Sequence, residues 1–389
     1  MSDPVNQGPI IQGWCPGALR PMQSGDGLVV RVRAPLGRLS QTQAAQIADL
    51  AQTYGDGLLD VSNRGNLQIR GVTEASHAPL IDGLRMLNMI DQDVARETRR
   101  NIVLTPFWRH GDDSHRVATD LMLALAAEDA PATPGKFGYA IDCGADPVLQ
   151  DTPADIRIER TPHGLIVRAD GSTKGLPVTA DSAAEAALTL ARWFLDTGGV
   201  KDGRGRMARH LAKPDVQLPD SHCAPMLPNQ LAFAPGKACQ GFMVALEFGQ
   251  MTTDTLRTLA QTAAIRLTPW RMVLLEGASS IPATEGLITD PFSPLLHVTA
   301  CTGAPGCPQA LSETRPTARA LAFYTQALLH VSGCAKGCAH PTAAPVTLTA
   351  TAPETFDLIV GGTAASHPTR TGLSSQTLLA RPELLNERP

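Results

Sequence analysis

Four cysteines in the last quarter of the chain have the residue type and the spacing of a metal-binding set. Cys301 and Cys307 lie in "TACTGAPGCPQA", and Cys334 and Cys338 lie in "HVSGCAKGCAHP". Glycines flank both pairs, and glycine lets the main chain take unusual conformations and approach a ligand closely. The two stretches therefore predict two loops that bring thiolates to one inorganic group.

The spacing favours an iron–sulfur cluster over the alternatives. A structural zinc site usually pairs cysteines two to four residues apart, and the C-x5-C pair does not fit that pattern. Four irons take four thiolates, and their sulfurs need nearby N–H donors, to which Lys336 adds positive charge. A zinc site and ordinary buried thiols remain the alternatives.

Composition limits the classes of partner. The chain has 389 residues, 43% of them hydrophobic, and a net charge of -4, so we expect neither nucleic acid nor an anionic membrane to bind it. No apolar run reaches the ~20 residues that span a bilayer, and the first residues lack a signal-peptide pattern. We expect a cytoplasmic protein whose thiols stay reduced.

The chain contains an internal duplication. Segments 27–72 and 241–278 both show an alternating strand, a turn, a helix after a capping Ser40 or Thr252, and another strand. Segments 98–200 and 292–365 then repeat the order strand, helix, strand and two more strands. We expect helices near 115–128, 182–196 and 316–329, and an irregular tail after Gly362.

Polar side chains alternate along two strands of the first copy. Arg31 and Arg33 share one face of "LVVRVR", and Arg64 and Gln68 share one face of "NRGNLQIRG". The second copy keeps few charges in the matching strands. Guanidinium groups grip carboxylates in bidentate fashion, so this face predicts a carboxylate-binding site, and a solvated sheet face is the alternative.

These motifs resemble the sulfite and nitrite reductase superfamily, and the resemblance covers nearly the whole chain. Its R-x-R-x-P, [ST]-x-R-x-x-x-Q, R-N-[IV] and P-[RK]-K-F-K segments appear here as Arg31–Pro35, Ser62–Gln68, Arg100–Ile102 and Pro134–Gly138. The resemblance implies an α+β, internally duplicated nitrite/sulfite reductase-like fold, in which two ferredoxin-like half-domains are each followed by an α/β domain. We place the first half-domain at 1–78, the first α/β domain at 79–202, a linker and the second half-domain at 203–285, and the cluster-binding domain and tail at 286–389.

The resemblance also implies a set of site residues. Members of the superfamily hold a four-iron cluster beside a sirohaem in a tetrapyrrole-sized cavity, and Cys338 matches the cysteine that bridges the two. One member of the paired lysines is replaced here by Gly138, which weakens the reading as a sirohaem reductase. The implied substrate-binding residues are Arg31, Arg33, Arg64, Gln68, Arg100 and Lys136.

The stretch "GWCPGALRPMQSGDGLVVRVRAPLGRLS" is similar to the opening segment of the precorrin-3B synthase branch. That likeness implies an O2-dependent monooxygenase that hydroxylates precorrin-3A at C20 and closes a γ-lactone. The implied cofactors are a [4Fe-4S] cluster and a mononuclear non-haem iron, with NADH as the ultimate reductant. Sirohaem is expected only under the alternative reading, a sulfite or nitrite reductase.

Several features stay open at this level. The candidate iron ligands His110, His115, His297, His330 and His340 show no facial-triad spacing, and no catalytic residue is identified. No G-x-G-x-x-G fingerprint occurs, so we expect a separate electron-donor reductase. We expect a monomer, and a non-catalytic electron carrier is a second rival.

Overall fold

The computed structural model describes residues 16–228 and 233–386. Cys15, which has no partner spacing in the sequence and is expected to be a core or incidental thiol like Cys223 and Cys239, lies outside the described residues. The first described unit is an α+β half-domain whose sheet has the order β1-β2-β5-β4 and is completed by one edge strand from the second half-domain. Its own elements are β1 (Met22–Ser24), β2 (Gly27–Val32), β3 (Arg38–Leu39), α1 (Gln41–Tyr54), β4 (Leu58–Val61), β5 (Leu67–Val72) and α2 (Glu74–Met86).

A second half-domain repeats this arrangement later in the chain, in a sheet of order β12-β13-β16-β15-β3. Its elements are β12 (Gly236–Ala238), β13 (Gly241–Leu246), β14 (Gln250–Thr252), α7 (Thr253–Thr262), β15 (Ala264–Leu267), β16 (Met272–Glu276) and β17 (Leu287–Ile288).

The two half-domains exchange edge strands. The short β3 of the first copy pairs with β15, where Leu39 lies opposite Ile265, and β14 of the second copy pairs with β4, where Met251 lies opposite Leu59. One continuous hydrophobic core packs under both sheets and includes α1 and α7. The halves therefore fold around a common core instead of standing side by side.

Local sequence signals explain the matching helices. The Ser40 side chain accepts from the Gln43 N–H, and the Gln43 side chain accepts from the Ser40 N–H in return, a capping box. Thr252 caps α7 by accepting from Thr255. The predicted caps are confirmed, and each contributes about 1 kcal/mol to its helix.

An α/β unit follows the first half-domain, with a sheet of order β11-β10-β9-β8-β7-β6. Its elements, with those of the segment that follows, are α3 (Val94–Arg99), β6 (Ile102–Leu104), α4 (Asp113–Ala126), β7 (Tyr139–Asp142), β8 (Ile156–Thr161), β9 (Gly164–Ala169), β10 (Lys174–Val178), α5 (Ala180–Asp196), α6 (Met207–Leu211) and β11 (Ala224–Pro225).

The α/β unit that follows the second half-domain has the sheet order β18-β19-β20-β21-β22. Its elements are β18 (Val298–Ala300), α8 (Arg315–Leu321), β19 (Leu329–Ser332), β20 (Ala344–Ala352), β21 (Thr355–Gly362), β22 (Arg370–Ser374) and α9 (Ser375–Ala380). In both units the first three strands are parallel and the next two are antiparallel. The predicted duplicated α+β fold is confirmed.

Two local predictions need correction. The helix expected near 316–329 ends at Leu321 and continues only as a 3-10 turn at Ala322–Tyr324, because the Thr325 hydroxyl then holds a tight turn with Ala327 before β19. The tail after Gly362 is not irregular. It forms β22, α9 and a 3-10 turn, since Leu378, Leu384 and Leu385 are buried in the core of the unit.

Among the described residues, no helix combines the length and the apolar character that crossing a bilayer requires.

Candidate functional site

The strand pairing brings the two cysteine loops to one edge of a sheet. Cys301 comes directly after β18, and Cys334 follows shortly after β19, its parallel neighbour, in which Val331 lies opposite Ala300. The Cys301 N–H donates to the carbonyl of Val331 at 3.3 Å. Since the carboxyl ends of parallel strands meet at the same edge, both loops start at the same place.

Glycines shape these loops where a side chain would not fit. A Cβ on Gly303, which has a φ of 72°, would lie 2.7 Å from the Thr314 hydroxyl, and one on Gly333 would lie 2.6 Å from Ala310 Cβ. The Gly333 N–H donates to Cys301 Sγ at 3.1 Å. A sulfur that already receives a backbone N–H is prepared to carry thiolate charge.

The four thiols are close enough to influence one another. Burial raises the pKa of Cys334, the Lys336 N–H lowers it, and the thiolates of Cys301 and Cys307 raise it further. Partial burial also raises the pKa of Cys338, although that residue is exposed by surface area; Lys336 opposes the shift and the other three cysteines add to it. Because the thiolates repel one another, positively charged metal atoms bound between them would stabilise the set.

The donor set fits a cluster better than a single ion. Among the described residues, no group of three or more His, Cys, Asp or Glu side chains is placed to hold one metal ion. A four-iron cluster does not require such convergence, because each thiolate binds a different iron. Four thiols in one neighbourhood, with an N–H donor on Cys301, are therefore compatible with the cluster.

The other described cysteines lie apart from this set. Cys143 is buried just after β7, close to the place that the duplication gives to the Cys334 loop, and burial raises its pKa to about 12. Cys223 and Cys239 are exposed and unpaired within the described chain. These positions agree with incidental thiols.

The first half-domain holds the Cys307 loop in place. The carbonyl of Gly306 accepts from the Ser24 hydroxyl at 2.7 Å, from the Gly25 N–H at 3.2 Å and from Arg70 Nη2 at 3.3 Å. Arg70 is itself bound by Asp26 and by Asp60. The Cys307 loop is thus docked on the strands that carry the arginines.

The arginine face is buried. Arg31, Arg33 and Arg64 are 7%, 6% and 7% exposed, whereas the alternating side chains of β2 and β5 pack in the hydrophobic core on the other face. Burying guanidinium groups costs free energy unless they find partners. The alternative reading as a solvated sheet face is therefore excluded.

Arg31 and Gln68 form a pair at the centre of this face. Arg31 Nη2 donates to Gln68 Oε1 at 2.7 Å and Arg31 Nε donates to the same oxygen at 3.2 Å. Arg31 Nη1 is buried and has no hydrogen-bond partner within the described part of the chain. A buried donor of this kind can donate a hydrogen bond to an anionic ligand.

Arg33 and Arg100 are held by carboxylates of the chain. Arg33 Nη1 donates to the Glu97 carbonyl at 2.8 Å and lies 3.8 Å from its carboxylate, while Arg100 binds Asp91 at 2.8 Å. Burial, then the neighbouring Arg31, lowers the pKa of Arg33 to about 10. Arg33 stays charged at neutral pH, and the Glu97 carboxylate compensates part of that charge.

Arg64 and Lys136 meet through the main chain. Arg64 Nη2 donates to the Lys136 carbonyl at 2.9 Å. A Cβ on the nearby Gly138 would lie 3.0 Å from the Asn101 carbonyl and 3.1 Å from Arg64 Nη1. The departure from the reductase pattern at Gly138 therefore has a local reason, since the backbone there is tightly enclosed.

A small cavity opens between the arginines. Arg33, Arg64 and Arg100 line it together with apolar residues of β6 and α4. Its volume is about 20 Å³, room for about one water molecule. It is far smaller than the tetrapyrrole-sized cavity that the resemblance implies, and it suits a single small polar group.

The histidines do not form an iron site within the described chain. The rings of His330 and His340 lie 5.8 Å apart, and those of His110 and His115 lie 4.8 Å apart, while His297 is exposed. His330 is fully buried and burial, then His340, lowers its pKa to about 4. The described residues therefore do not present a ligand set for a non-haem iron.

Sequence reasoning missed two residues of the site. The buried Glu97 carboxylate accepts from the Ala18 N–H at 2.6 Å and the Leu19 N–H at 3.2 Å, beside Arg33. Arg271 of the second half-domain reaches the Cys338 loop, where its Nη2 donates to the Ala339 carbonyl at 2.9 Å. No spacing signals either role, because both contacts join segments far apart in the chain.

Comparisons with known proteins agree with this architecture. Residues 20–87 match the family described as nitrite/sulfite reductase ferredoxin-like half domain. The chain is 29% identical to a precorrin-3B synthase from Sinorhizobium sp., over 92% of this chain and 84% of that protein. It is 25% identical to a ferredoxin–nitrite reductase from Synechococcus elongatus, over 85% and 77% of the two chains.

A solved structure shows the same fold. The Mycobacterium tuberculosis NirA protein superposes with a TM-score of 0.61 at 17% identity, covering 92% of this chain and 79% of that one. Residues 20–87 thus match a nitrite/sulfite reductase ferredoxin-like half domain, and over most of its length the chain is similar in sequence to a precorrin-3B synthase and a nitrite reductase and in fold to the NirA protein.

Proposed function

We propose that the protein is a precorrin-3B synthase, which hydroxylates precorrin-3A at C20 and forms a γ-lactone. The observation that carries this proposal is the similarity to the Sinorhizobium precorrin-3B synthase along 92% of the chain. The nitrite reductase from Synechococcus elongatus matches with lower identity over less of the chain. The synthase is therefore favoured over a sulfite or nitrite reductase.

The arginine face supplies the chemistry that such a substrate needs. A precorrin carries carboxylates around an apolar ring, and guanidinium groups bind carboxylates through charge-assisted hydrogen bonds. We assign substrate binding to Arg31, Arg33, Arg64, Gln68, Arg100 and Lys136. The cavity between Arg33, Arg64 and Arg100 would take one small polar group of the ligand, and Arg31 Nη1 offers a further donor.

The cysteine loops supply the electron-transfer chemistry. Cys301, Cys307, Cys334 and Cys338 would hold a [4Fe-4S] cluster, which when bound delivers electrons one at a time. Hydroxylation consumes O2, two electrons and two protons, placing one oxygen atom in the product and the other in water. We assign the electrons to NADH through a separate reductase. No step is assigned to a non-haem iron, because the described residues present no ligand set for it.

Product analysis tests the proposal directly. Purified protein incubated with precorrin-3A, an electron donor and isotopically labelled O2 is expected to yield a product one oxygen heavier that carries the label. Mass spectrometry detects it. An unchanged substrate in the presence of a competent donor would contradict the proposal. A sirohaem absorption band in the same protein would support the reductase alternative.

Substitution of Arg31 tests the substrate face. Arg31→Gln removes the guanidinium whose Nη1 lacks a partner, so precorrin-3A is expected to bind about tenfold more weakly, the loss of one charge-assisted hydrogen bond. Arg192→Gln, on an exposed part of α5, is the matched control and should bind like the wild type. If Arg31→Gln and the control bound precorrin-3A with equal affinity, Arg31 would not be a substrate-binding residue.

A further inference from the structure

Arg271 occupies a strained position that the duplication makes visible. It lies in the turn between β15 and β16 with a φ of 59°. The matching turn of the first half-domain, between β4 and β5, has Gly65 at a φ of 63°. Both turns are closed by the same backbone contact, Ser62 to Asn66 and Thr268 to Met272.

Glycine adopts this left-handed conformation at no steric cost, whereas a residue with a Cβ is sterically strained there. The second half-domain keeps an arginine where the first has glycine. A strained residue that persists at such a position points to a functional role for its side chain.

The Arg271 side chain is directed to the cysteine loops of the other unit. Its Nη2 donates to the carbonyl of Ala339 at 2.9 Å, directly after Cys338. Burial lowers the pKa of Arg271 and Arg315 lowers it further, while Asp60 and Cys301 act in the opposite direction. The guanidinium is thus within electrostatic range of a predicted cluster ligand.

The surrounding network carries excess positive charge. Arg315 lies 3.6 Å from Asp60, which also binds Arg70 at 3.1 Å, and Asp26 binds Arg70 as well. Within the described chain, this network places three guanidinium groups against two carboxylates. Arg315 begins α8 next to Thr314, whose hydroxyl donates to the Cys301 carbonyl at 2.7 Å.

Partly buried cations need a compensating anion. A four-iron cluster with four thiolates is anionic and becomes more so when it accepts an electron. A cation held near it stabilises the reduced form and raises its reduction potential.

We propose that Arg271 is the charge-compensating residue of the cluster: it anchors the Cys338 loop through Ala339 and raises the reduction potential of the cluster. Arg315 supports it from the start of α8. This inference rests on the proposed function, because it requires that the four cysteines hold the cluster.

The test is a redox titration of the holoprotein followed by electron paramagnetic resonance. Arg271→Gln removes the charge and keeps a donor, and it is expected to shift the reduction equilibrium at least tenfold toward the oxidised form, about 59 mV for one electron. Arg271→Lys should retain most of the wild-type potential. Arg319→Gln, on α8 with Arg315 but paired with Glu247 at the surface, is the control and should not change the potential.

A second variant separates charge from backbone strain. Arg271→Gly removes the cation and relieves the backbone strain of the turn. We expect its reduction potential to be as low as that of Arg271→Gln and its thermal unfolding temperature to be no lower than that of the wild type. Cluster loss in Arg271→Gln but not in Arg271→Lys would also support the charge requirement. Loss in both variants would overturn it.

The failure of this inference differs from the failure of the proposed function. If the wild-type protein bound no iron and no sulfide, both the proposed function with its cluster and the role of Arg271 would be contradicted. A wild-type cluster whose potential is unchanged in Arg271→Gln would overturn only the role of Arg271.

Discussion

At the scale of single residues, strand alternation predicted which side chains share a face. It placed Arg31 and Arg33 opposite the core-facing valines of β2, and the structure has them there, almost fully buried. Alternation could not predict their partners. Glu97 and Asp91 come from an intervening helix and loop, so these pairings depend on tertiary folding and leave no local pattern.

Gly138 provides a prediction at this scale. Gly138→Lys restores the lysine of the reductase pattern, but its Cβ would press on the Asn101 carbonyl and on Arg64. We expect a loss of about 1–3 kcal/mol in the free energy of unfolding, measured by denaturant titration. Gly135→Lys, where a Cβ meets only the Thr98 methyl at 3.6 Å, is the control. If the two variants were equally stable, steric enclosure would not explain why glycine replaces lysine at position 138.

At the scale of elements, caps and periodicity predicted most of the duplicated order. They could not predict the exchange of β3 and β14, because a two- or three-residue edge strand has no periodicity and its pairing is non-local. The tail was wrongly expected to be irregular for a related reason. Its leucines form no helical stripe long enough to read, and they become ordered only by packing on the last unit.

The two α/β units hold their equivalent loops in different ways. In the unit with the cysteines, the Ser332 hydroxyl binds the Cys334 carbonyl at 2.7 Å. In the other, Asp142 at the end of β7 accepts from the Val148 and Leu149 N–H groups. Burial raises the pKa of Asp142 to about 6 despite these bonds. A buried carboxylate at the end of β7 thus takes the position that the Ser332 hydroxyl takes at the end of β19.

Asp142 gives a pH prediction. A carboxyl whose folded pKa is raised stabilises the fold below its ordinary pKa of 3.8, and that contribution is lost as the pH rises through about 6. Asp142→Asn keeps a hydrogen-bond acceptor without charge. From pH 4 to pH 7 the free energy of unfolding of this variant should therefore rise by up to about 3 kcal/mol relative to that of the wild type. Unfolding titrations at both values check this, with the exposed Asp181→Asn as control. A pH-independent difference would contradict it.

At the scale of the whole molecule, the duplication explains how the two copies interlock. Arg70 with Asp60 docks the Gly306 loop, and at the matching positions Glu276 with Arg266 docks the loop of Pro106 and Trp108. The charges of the pair are reversed between the copies. Each half-domain therefore holds the loop of the α/β unit that follows the other half-domain.

This cross-docking also bears on the domain boundaries 1–78, 79–202, 203–285 and 286–389, which stay predictions. Linear segments could be read from composition and repeats, but β3 and β14 cross between the half-domains. The loops cross as well. Sequence alone orders the segments along the chain, whereas their interlocking depends on contacts more than 200 residues apart.

We propose that four cysteines from two loops hold one iron–sulfur cluster, and analysis of iron and acid-labile sulfide in anaerobically prepared protein is the decisive experiment. We expect about four of each per chain in the wild type, near zero in Cys334→Ser, and wild-type content in Cys239→Ser, which alters an exposed cysteine outside the set. A wild-type protein without iron and sulfide, or a Cys334→Ser variant with full content, would contradict the account.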